Sequence, residues 1–203
     1  MITSMFKLIS VTNRALAREP FLARVERVAQ GGADAVILRE KDLSPEAYRT
    51  LAREVLPRCA RYGVPCILHT YAEIARELGV QTVHLPLPAL RDLTVEQRAW
   101  FETLGASCHS VEDVEEAEQL GCTYVTLGHI FATECKPGLP PRGLELLQKA
   151  CAMSRIPVYA IGGIQQENLA AVQETGAAGA CIMSGLMHCQ DPAAALQALR
   201  NSL

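Results

Sequence analysis

The stretch ASCHSVEDVEEAEQLGCTYVTL, residues 106–127, decides the fold. It holds two short β-rich runs, 106–108 and 124–127, with a helical pattern between them. Ser110 is suited to cap that helix, acidic residues follow in its first turn where the helix dipole favours them, and Gly121 ends it. The segment therefore predicts two parallel strands joined by a right-handed helical crossover.

The same unit recurs along the chain. Ser44 before PEAYRTLAREVL and Thr94 before VEQRAWF are comparable helix starts, and Gly63, Gly79 and Gly176 stand at helix ends as Gly121 does. Eight β-rich runs alternate with these helical segments, at 7–11, 35–39, 65–69, 82–85, 106–108, 124–127, 158–161 and 179–183.

Eight such units use nearly all of the chain. They predict an α/β fold of the (β/α)8 TIM-barrel type, with residues 1–203 as a single domain. An open doubly wound sheet is the alternative, because a strand count from sequence can be wrong by one or two.

Composition narrows the classes of function. The chain has 203 residues, 49% of them apolar, and its 19 Lys and Arg against 22 Asp and Glu leave a formal charge of −3. Without a basic run, nucleic acid is not expected as a partner. The N-terminus lacks the features of a secretory signal and no apolar run approaches the roughly 18 residues of a membrane span, so we expect a cytoplasmic protein with no membrane partner.

Eight cysteines raise the question of disulfides or metal. They form no CxxC pair and lack paired histidines at zinc-finger distances. Most lie in apolar stretches, where a thiol behaves as a small hydrophobic group. The sequence therefore predicts a reducing compartment, no metal site and no cofactor.

In a TIM barrel, the functional residues follow the C-terminal ends of the strands. Arg39 and Lys41 follow the second predicted strand. A phosphate-bearing ligand would explain these two cations, and so would surface pairing with Glu40 and Asp42.

The loop after the sixth strand, GHIFATECKPGL at 128–139, is the most informative segment. It is longer than the usual connection, which favours a functional loop. His129 stands just beyond the strand and is the best candidate for a general acid or base. The alternative for His129, and for the other strand-end histidines His69, His84 and His109, is a structural role.

Small residues follow the last two strands. Gly162 and Gly163 come after the seventh, and Met183, Ser184 and Gly185 after the eighth. Barrels frequently bind phosphate at this place, because backbone N–H groups can approach an anion closely there. Tight turns without a ligand are the alternative.

With these residues placed, the chain resembles the thiamine phosphate synthase/TenI family from about Lys7 to Leu199. The resemblance is carried by LREK at 38–41, VHL at 83–85, SCHS at 107–110, IGGI at 161–164 and MSG at 183–185. It implies a (β/α)8 barrel of thiamine biosynthesis that holds a thiazole phosphate on the loops after strands seven and eight.

Two branches of that family differ at the site. Synthases resemble this chain but have Asn-Asp-Asp after strand three and Gly-Gln-x-Asp after strand four, which hold magnesium. Here the sequence is HTY at 69–71 and PLPA at 86–89, so the hard oxygen ligands that magnesium prefers are missing. The loop GHIFATECKPGL, followed by Arg142, looks instead like the TenI branch.

The TenI resemblance implies a thiazole tautomerase, an isomerase that aromatises a thiazole carboxylate phosphate by a metal-independent proton shift. His129 would be its acid/base. We expect the phosphate to lie near Gly163, Ser184 and Gly185, with Arg39 and Lys136 facing the anionic groups. Ser107 and His109 are candidate helpers, with helix capping and local hydrogen bonding as their alternative roles. Lys41, Gly162 and Met183 complete the expected site.

Two alternatives stay open. One is a thiamine phosphate synthase, a transferase that couples a pyrimidine pyrophosphate to the thiazole in a magnesium-dependent reaction. The other is a regulatory protein that binds a thiazole phosphate without chemistry. The oligomeric state is also open, a homo-oligomer included.

Overall fold

The computed structural model describes residues 5–203, which form a closed barrel of eight parallel strands in sequential order. The (β/α)8 prediction is confirmed and the open sheet is excluded. The strands are β1 Lys7–Val11, β2 Ala35–Leu38, β3 Cys66–His69, β4 Thr82–Pro86, β5 Thr103–Cys108, β6 Tyr124–Gly128, β7 Val158–Ile161 and β8 Gly179–Ile182.

Helices fill the connections. A short 3-10 helix, Arg14–Leu16, follows β1. The α-helices are α1 Phe21–Gln30, α2 Pro45–Arg61, α3 Ala72–Glu77, α4 Leu87–Arg91, α5 Val95–Ala99, α6 Val111–Gln119, α7 Gly143–Met153, α8 Gln166–Glu174, α9 Ser184–Met187 and α10 Pro192–Arg200.

The helix boundaries follow the predicted signals. The hydroxyls of Ser44, Thr94 and Ser110 each accept a hydrogen bond from the backbone N–H three residues later. Four glycines end helices in the left-handed region, with φ between +68° and +89°: Gly63, Gly79, Gly121 and Gly176.

Seven of the eight strands match their predicted bounds to within one residue, and β5 is the exception. It starts at Thr103, three residues earlier than predicted, and so includes Gly105. Glycine is unfavourable in a strand, yet a Cβ at this position would lie 2.2 Å from the Tyr124 ring. The glycine therefore makes room for an aromatic side chain inside the barrel.

Two hydrophobic layers hold the barrel together. The larger lies between the strands and the surrounding helices and includes Leu8, Val36 and Leu68. The smaller fills the barrel interior with inward-facing strand side chains such as Ile37 and Tyr124, which alternate along each strand with outward-facing ones. Because the interior is packed, a ligand can enter only at the ends of the barrel.

No helix within residues 5–203 is both long and apolar enough to cross a lipid bilayer. All eight cysteines are free thiols, and five of them are buried.

Candidate functional site

A cavity of about 440 Å³ opens at the C-terminal ends of the strands, the size of a small-molecule site. All eight strand ends or the loops directly after them contribute to its wall. Nearly every predicted site residue lines it: Arg39, Lys41, Ser107, His129, Lys136, Gly162, Gly163, Met183 and Ser184. Gly185 does not.

One side of the cavity is cationic. Arg39 and Lys41 come from the end of β2, and Lys136 reaches in from the β6–α7 loop. Burial, and then the nearby charges of Arg39 and Lys136, lower the pKa of Lys41. Burial, and then Arg142 and Arg39, lower the pKa of Lys136. The cations repel one another, so a bound anion would stabilise the group.

The acidic residues beside β2 are paired elsewhere. Glu40 is 3% exposed, accepts a 2.7 Å hydrogen bond from the Thr12 hydroxyl and forms a 3.3 Å ion pair with Arg14. Asp42 pairs with the same guanidinium. Arg39 and Lys41 therefore do not form the surface ion pairs with Glu40 and Asp42 that were the alternative to ligand binding.

Another part of the cavity wall is built from the predicted glycine loops. Gly162 and Gly163 have φ of +100° and +67°. A Cβ on Gly163 would lie 2.5 Å from the carbonyl oxygen of Ala132, and one on Gly162 would lie 2.3 Å from the His129 Cβ. Glycine is thus required by the crossing of the β6–α7 loop as well as by any anion that the backbone binds.

Ser184 begins the short helix α9, directly after β8. The first N–H groups of a helix have no partner within it. Within residues 5–203, the N–H groups of Gly163, Ser184 and Gly185 donate to no other backbone carbonyl across turns or loops. These donors lie on the same side of the barrel mouth and are suited to a phosphate group.

His129 lies beneath the β6–α7 loop, only 5% exposed. Its Nε2 atom is 3.3 Å from the carbonyl oxygen of Leu139, and its backbone oxygen accepts a 2.9 Å hydrogen bond from Arg142 N–H. Its buried Nδ1 atom has no hydrogen-bond partner in the described part of the chain. A buried nitrogen without a partner is unfavourable, so a ligand atom that bonded to it would be stabilised.

A buried polar network stands behind Ser107. The Nδ1 atom of His84 is 2.9 Å from the Tyr124 hydroxyl, and its Nε2 atom is 2.9 Å from the Ser107 hydroxyl. Burial lowers the pKa of His84 to about 3, so its imidazole is neutral at pH 7. The network fixes the Ser107 side chain at the cavity wall.

His69 stacks on His84, with ring centroids 5.5 Å apart. Burial, followed by the effects of His84 and the Arg39 and Lys41 charges, lowers the pKa of His69 to about 2. The hydroxyl of Thr70 lies 2.6 Å from His69 Nδ1, and Thr70 itself has φ of +72°. A β-branched residue in this region is rare, which marks the end of β3 as strained.

Sequence reasoning missed Thr126 and Cys135, which also line the cavity. Thr126 is 3% exposed and lies 3.4 Å from His84 Nε2. Its signal was a single polar residue in the otherwise apolar run YVTL. Cys135, an exposed thiol near Arg39, gave no pattern that separates it from the other cysteines.

The residues present do not fit a magnesium site. Of the residues lining the cavity, Asp113 is the one carboxylate, and it accepts a 2.7 Å hydrogen bond from His109 N–H. Glu40, in an adjoining cavity, is already bonded to Thr12 and Arg14. Within residues 5–203, no three His, Cys, Asp or Glu side chains group as a metal site would require.

Comparison with known proteins gives a consistent result. The family model described as thiamine monophosphate synthase matches residues 8–186. A thiamine-phosphate synthase from Syntrophomonas wolfei is 33% identical over 198 residues, 94% of this chain and 93% of the relative. Another from Thermus thermophilus is 36% identical over 188 residues, covering 91% and 90% of the two chains.

A solved structure agrees with these relatives. The thiamine phosphate pyrophosphorylase from Pyrococcus furiosus superimposes with a TM-score of 0.84 at 29% identity, over 98% of this chain and 96% of that one.

The relatives contradict the expected tautomerase. They are named as synthases, which are transferases, and the identity extends over nearly the whole chain. The expectation of an isomerase rested mainly on one loop, 128–139, and on His129 within it. That expectation is wrong, and the transferase alternative agrees with the relatives.

Proposed function

Because the chain belongs to the thiamine monophosphate synthase family, we propose that it is a thiamine-phosphate synthase. The reaction joins a pyrimidine diphosphate to a thiazole phosphate. The thiazole ring nitrogen forms a bond to the methylene carbon of the pyrimidine, the bond from that carbon to the diphosphate oxygen breaks, and diphosphate leaves with the electron pair.

The observation that carries the proposal is a single cavity with two kinds of anion-binding surface. The glycine loops after β7 and β8 offer N–H donors, and the cations after β2 and in the β6–α7 loop line the same cavity. Such a pair of surfaces suits two phosphorylated substrates bound next to each other. Positioning of this kind is a large part of catalysis for a reaction between two bound molecules.

Each group then has a role. The N–H groups of Gly163 and Ser184 bind the thiazole phosphate. Arg39 and Lys136 bind the diphosphate, whose negative charge increases as it leaves, and so stabilise the transition state more than the substrate.

Other predicted residues support these two subsites. Lys41 adds charge beside Arg39, and Ser107, held by His84, donates a hydroxyl hydrogen bond. Gly162 and Met183 shape the two loops. His129 offers its unpaired Nδ1 atom as a hydrogen-bonding group. The thiazole nitrogen attacks through its lone pair and loses no proton, so the reaction needs no base there.

The experiment is a synthase assay with the pyrimidine diphosphate and the thiazole phosphate, in which thiamine phosphate and released diphosphate are both measured. We expect turnover by the unmodified protein and a loss of about 100-fold or more in kcat/KM for Arg39→Ala. Arg155→Ala is the matched control, because that side chain is 92% exposed and lies before the N-terminal end of β7, whereas the cavity opens at the C-terminal strand ends. It should keep full activity.

Two outcomes would contradict the proposal. Equal activity of Arg39→Ala and Arg155→Ala would show that Arg39 does not bind the diphosphate in the reaction. Tight binding of both phosphorylated molecules without any turnover, at any concentration of MgCl2, would favour the non-catalytic binding protein, an alternative to which the lack of metal-ligating carboxylates lends support.

A further inference from the structure

The cations of the cavity have no acidic partner. Within residues 5–203, every ion pair involves other residues, and none joins Arg39, Lys41 or Lys136 to a carboxylate. The charge of Glu40 acts on Arg39 without forming an ion pair with it, and three positive side chains at one wall with no ion-paired carboxylate are unfavourable in an empty site. They are the arrangement expected where the ligand itself supplies the negative charge.

The carboxylates near this wall are not available to a metal ion. Glu40 accepts hydrogen bonds from the Thr12 hydroxyl and from the Arg14 backbone N–H at 2.7 and 3.0 Å. Asp113 accepts from His109 N–H at 2.7 Å. Each would lose these bonds if it turned to coordinate a cation in the cavity, and a buried group that loses its partner is costly.

The imidazoles at the ends of β3 and β4 do not replace them. Magnesium prefers oxygen ligands, and both histidines are nitrogen donors. Both nitrogens of His84 already face the Tyr124 and Ser107 hydroxyls at 2.9 Å. The Nδ1 atom of His69 faces the Thr70 hydroxyl at 2.6 Å. Three of the four ring nitrogens therefore already have partners within the protein.

We propose that the chain binds the diphosphate group as the free anion, directly on Arg39, Lys41 and Lys136, and that magnesium competes with the protein for it. The identity of the anion rests on the proposed function. A single phosphate group carries about −1.5 to −2 at neutral pH, and a diphosphate carries more, which matches three cations. A magnesium complex of the same anion carries less negative charge and presents fewer free oxygens, so the cations attract it less.

The test is a calorimetric titration of inorganic pyrophosphate into the protein. One titration contains EDTA, and the other contains an excess of MgCl2 with NaCl adjusted to the same ionic strength, because salt alone screens the interaction. We expect the Kd to be weaker in MgCl2 by about tenfold. A Kd that is unchanged or tighter in MgCl2 would overturn the proposal.

Two variants test whether the anion binds at Arg39, Lys41 and Lys136. Lys41→Met keeps the length of the side chain and removes its charge, and should weaken binding in EDTA by about tenfold. Arg155→Met removes the charge of a side chain that is 92% exposed. This variant should bind pyrophosphate with the same affinity as the unmodified protein. Circular dichroism verifies that both variants are folded. If Lys41→Met binds pyrophosphate with unchanged affinity, the anion lies elsewhere and the proposal fails.

The outcome is distinguishable from that of the proposed function. Tighter binding in MgCl2 would overturn metal-free binding and leave the synthase reaction in place. Metal-free pyrophosphate binding without any synthase turnover would overturn the proposed reaction and leave the mode of anion binding intact.

Discussion

At the scale of single residues, the ends of β3 and β4 are occupied by two imidazoles that are buried and neutral. His69 is 4% exposed and His84 is 2% exposed, and each has a hydroxyl partner. No carboxylate in the described part of the chain favours the charged form of either ring, so protonation would place positive charge beside Arg39 and, for His69, also beside Lys41. The neutral forms are therefore part of what keeps this end of the barrel folded.

This arrangement predicts acid sensitivity that begins near neutral pH. The pKa values of His69 and His84, about 2 and about 3, lie far below the ordinary value of 6.5 that both recover on unfolding. The unfolded state thus binds more protons as the pH falls below 6.5, and stability decreases. Each histidine should remove about 2 kcal/mol of unfolding free energy between pH 7.5 and pH 5.

Urea unfolding at several values of pH measures this loss. His84→Gln, which keeps a polar side chain of similar size without a titrating ring, should show a pH dependence smaller by about 2 kcal/mol over the same range. Carboxylates with lowered pKa, such as those of Glu77 and Glu116, titrate below this window. If His84→Gln has the same pH dependence as the unmodified protein, His84 is not the neutral buried group described above.

At the scale of elements, the long β6–α7 loop is held down at several points. Phe131 N–H donates to the carbonyl oxygen of Gly162, and Arg142 N–H donates to that of His129. Its close crossing over Gly163 brings Lys136 to the same cavity as the β7 and β8 loops. A change at the crossing should therefore affect stability and anion binding together.

Gly163→Ala tests that link. The new Cβ would lie 2.5 Å from the Ala132 carbonyl oxygen and 2.8 Å from the Phe131 Cβ, in addition to the cost of a φ of +67°. We expect a loss of about 2–3 kcal/mol of unfolding free energy and an affinity for inorganic phosphate weaker by about tenfold.

Gly32→Ala is the matched control, because Gly32 has a φ of +87° but open space around its Cβ position. It should lose about 1 kcal/mol and keep its phosphate affinity. Chemical denaturation and calorimetry measure the two quantities. Equal losses in both variants would mean that the loop crossing does not constrain Gly163.

The elements themselves were largely predictable from sequence, and the pairing of side chains was not. Capping residues such as Ser110 and the alternation of apolar runs depend on neighbours within a few residues, so they are visible in the chain. The pairing of Glu40 with Arg14 joins residues 26 positions apart, in the loops after the neighbouring strands β1 and β2. The contact of His84 with Tyr124, 40 positions apart, likewise exists only once the barrel closes.

The function was harder to predict for a related reason. His129 and its loop predicted an isomerase, because a histidine at a strand end is suited to many reactions. Similarity over the whole chain contradicts that interpretation of the loop.

At the scale of the whole molecule, the formal charge of −3 gives no indication of a cationic cavity. Arg39, Lys41 and Lys136 come from separate parts of the sequence and meet only in the folded barrel.

The whole site depends on closure of the barrel, where β8 returns to β1. Gly179 is the first of the β8 residues that make this pairing, and it pairs with Lys7 on one side and with Tyr159 on the other. A Cβ at this position would lie 2.2 Å from the carbonyl oxygen of Lys7. Only after closure do the glycine loops after β7 and β8 line the same cavity as the cations that follow β2.

Gly179→Ala should therefore weaken the molecule as a whole. Its backbone is not in the left-handed region, so the entire effect is steric, and we expect a loss of about 3 kcal/mol, or a fall of about 6–12 °C in Tm. Gly176→Ala, three residues earlier with φ of +85° and its nearest neighbour at 3.7 Å, should lose only about 1 kcal/mol. Thermal unfolding followed by circular dichroism compares the two. A Gly179→Ala protein as stable as Gly176→Ala would show that the contact between β1 and β8 tolerates a side chain, and that closure does not depend on this glycine.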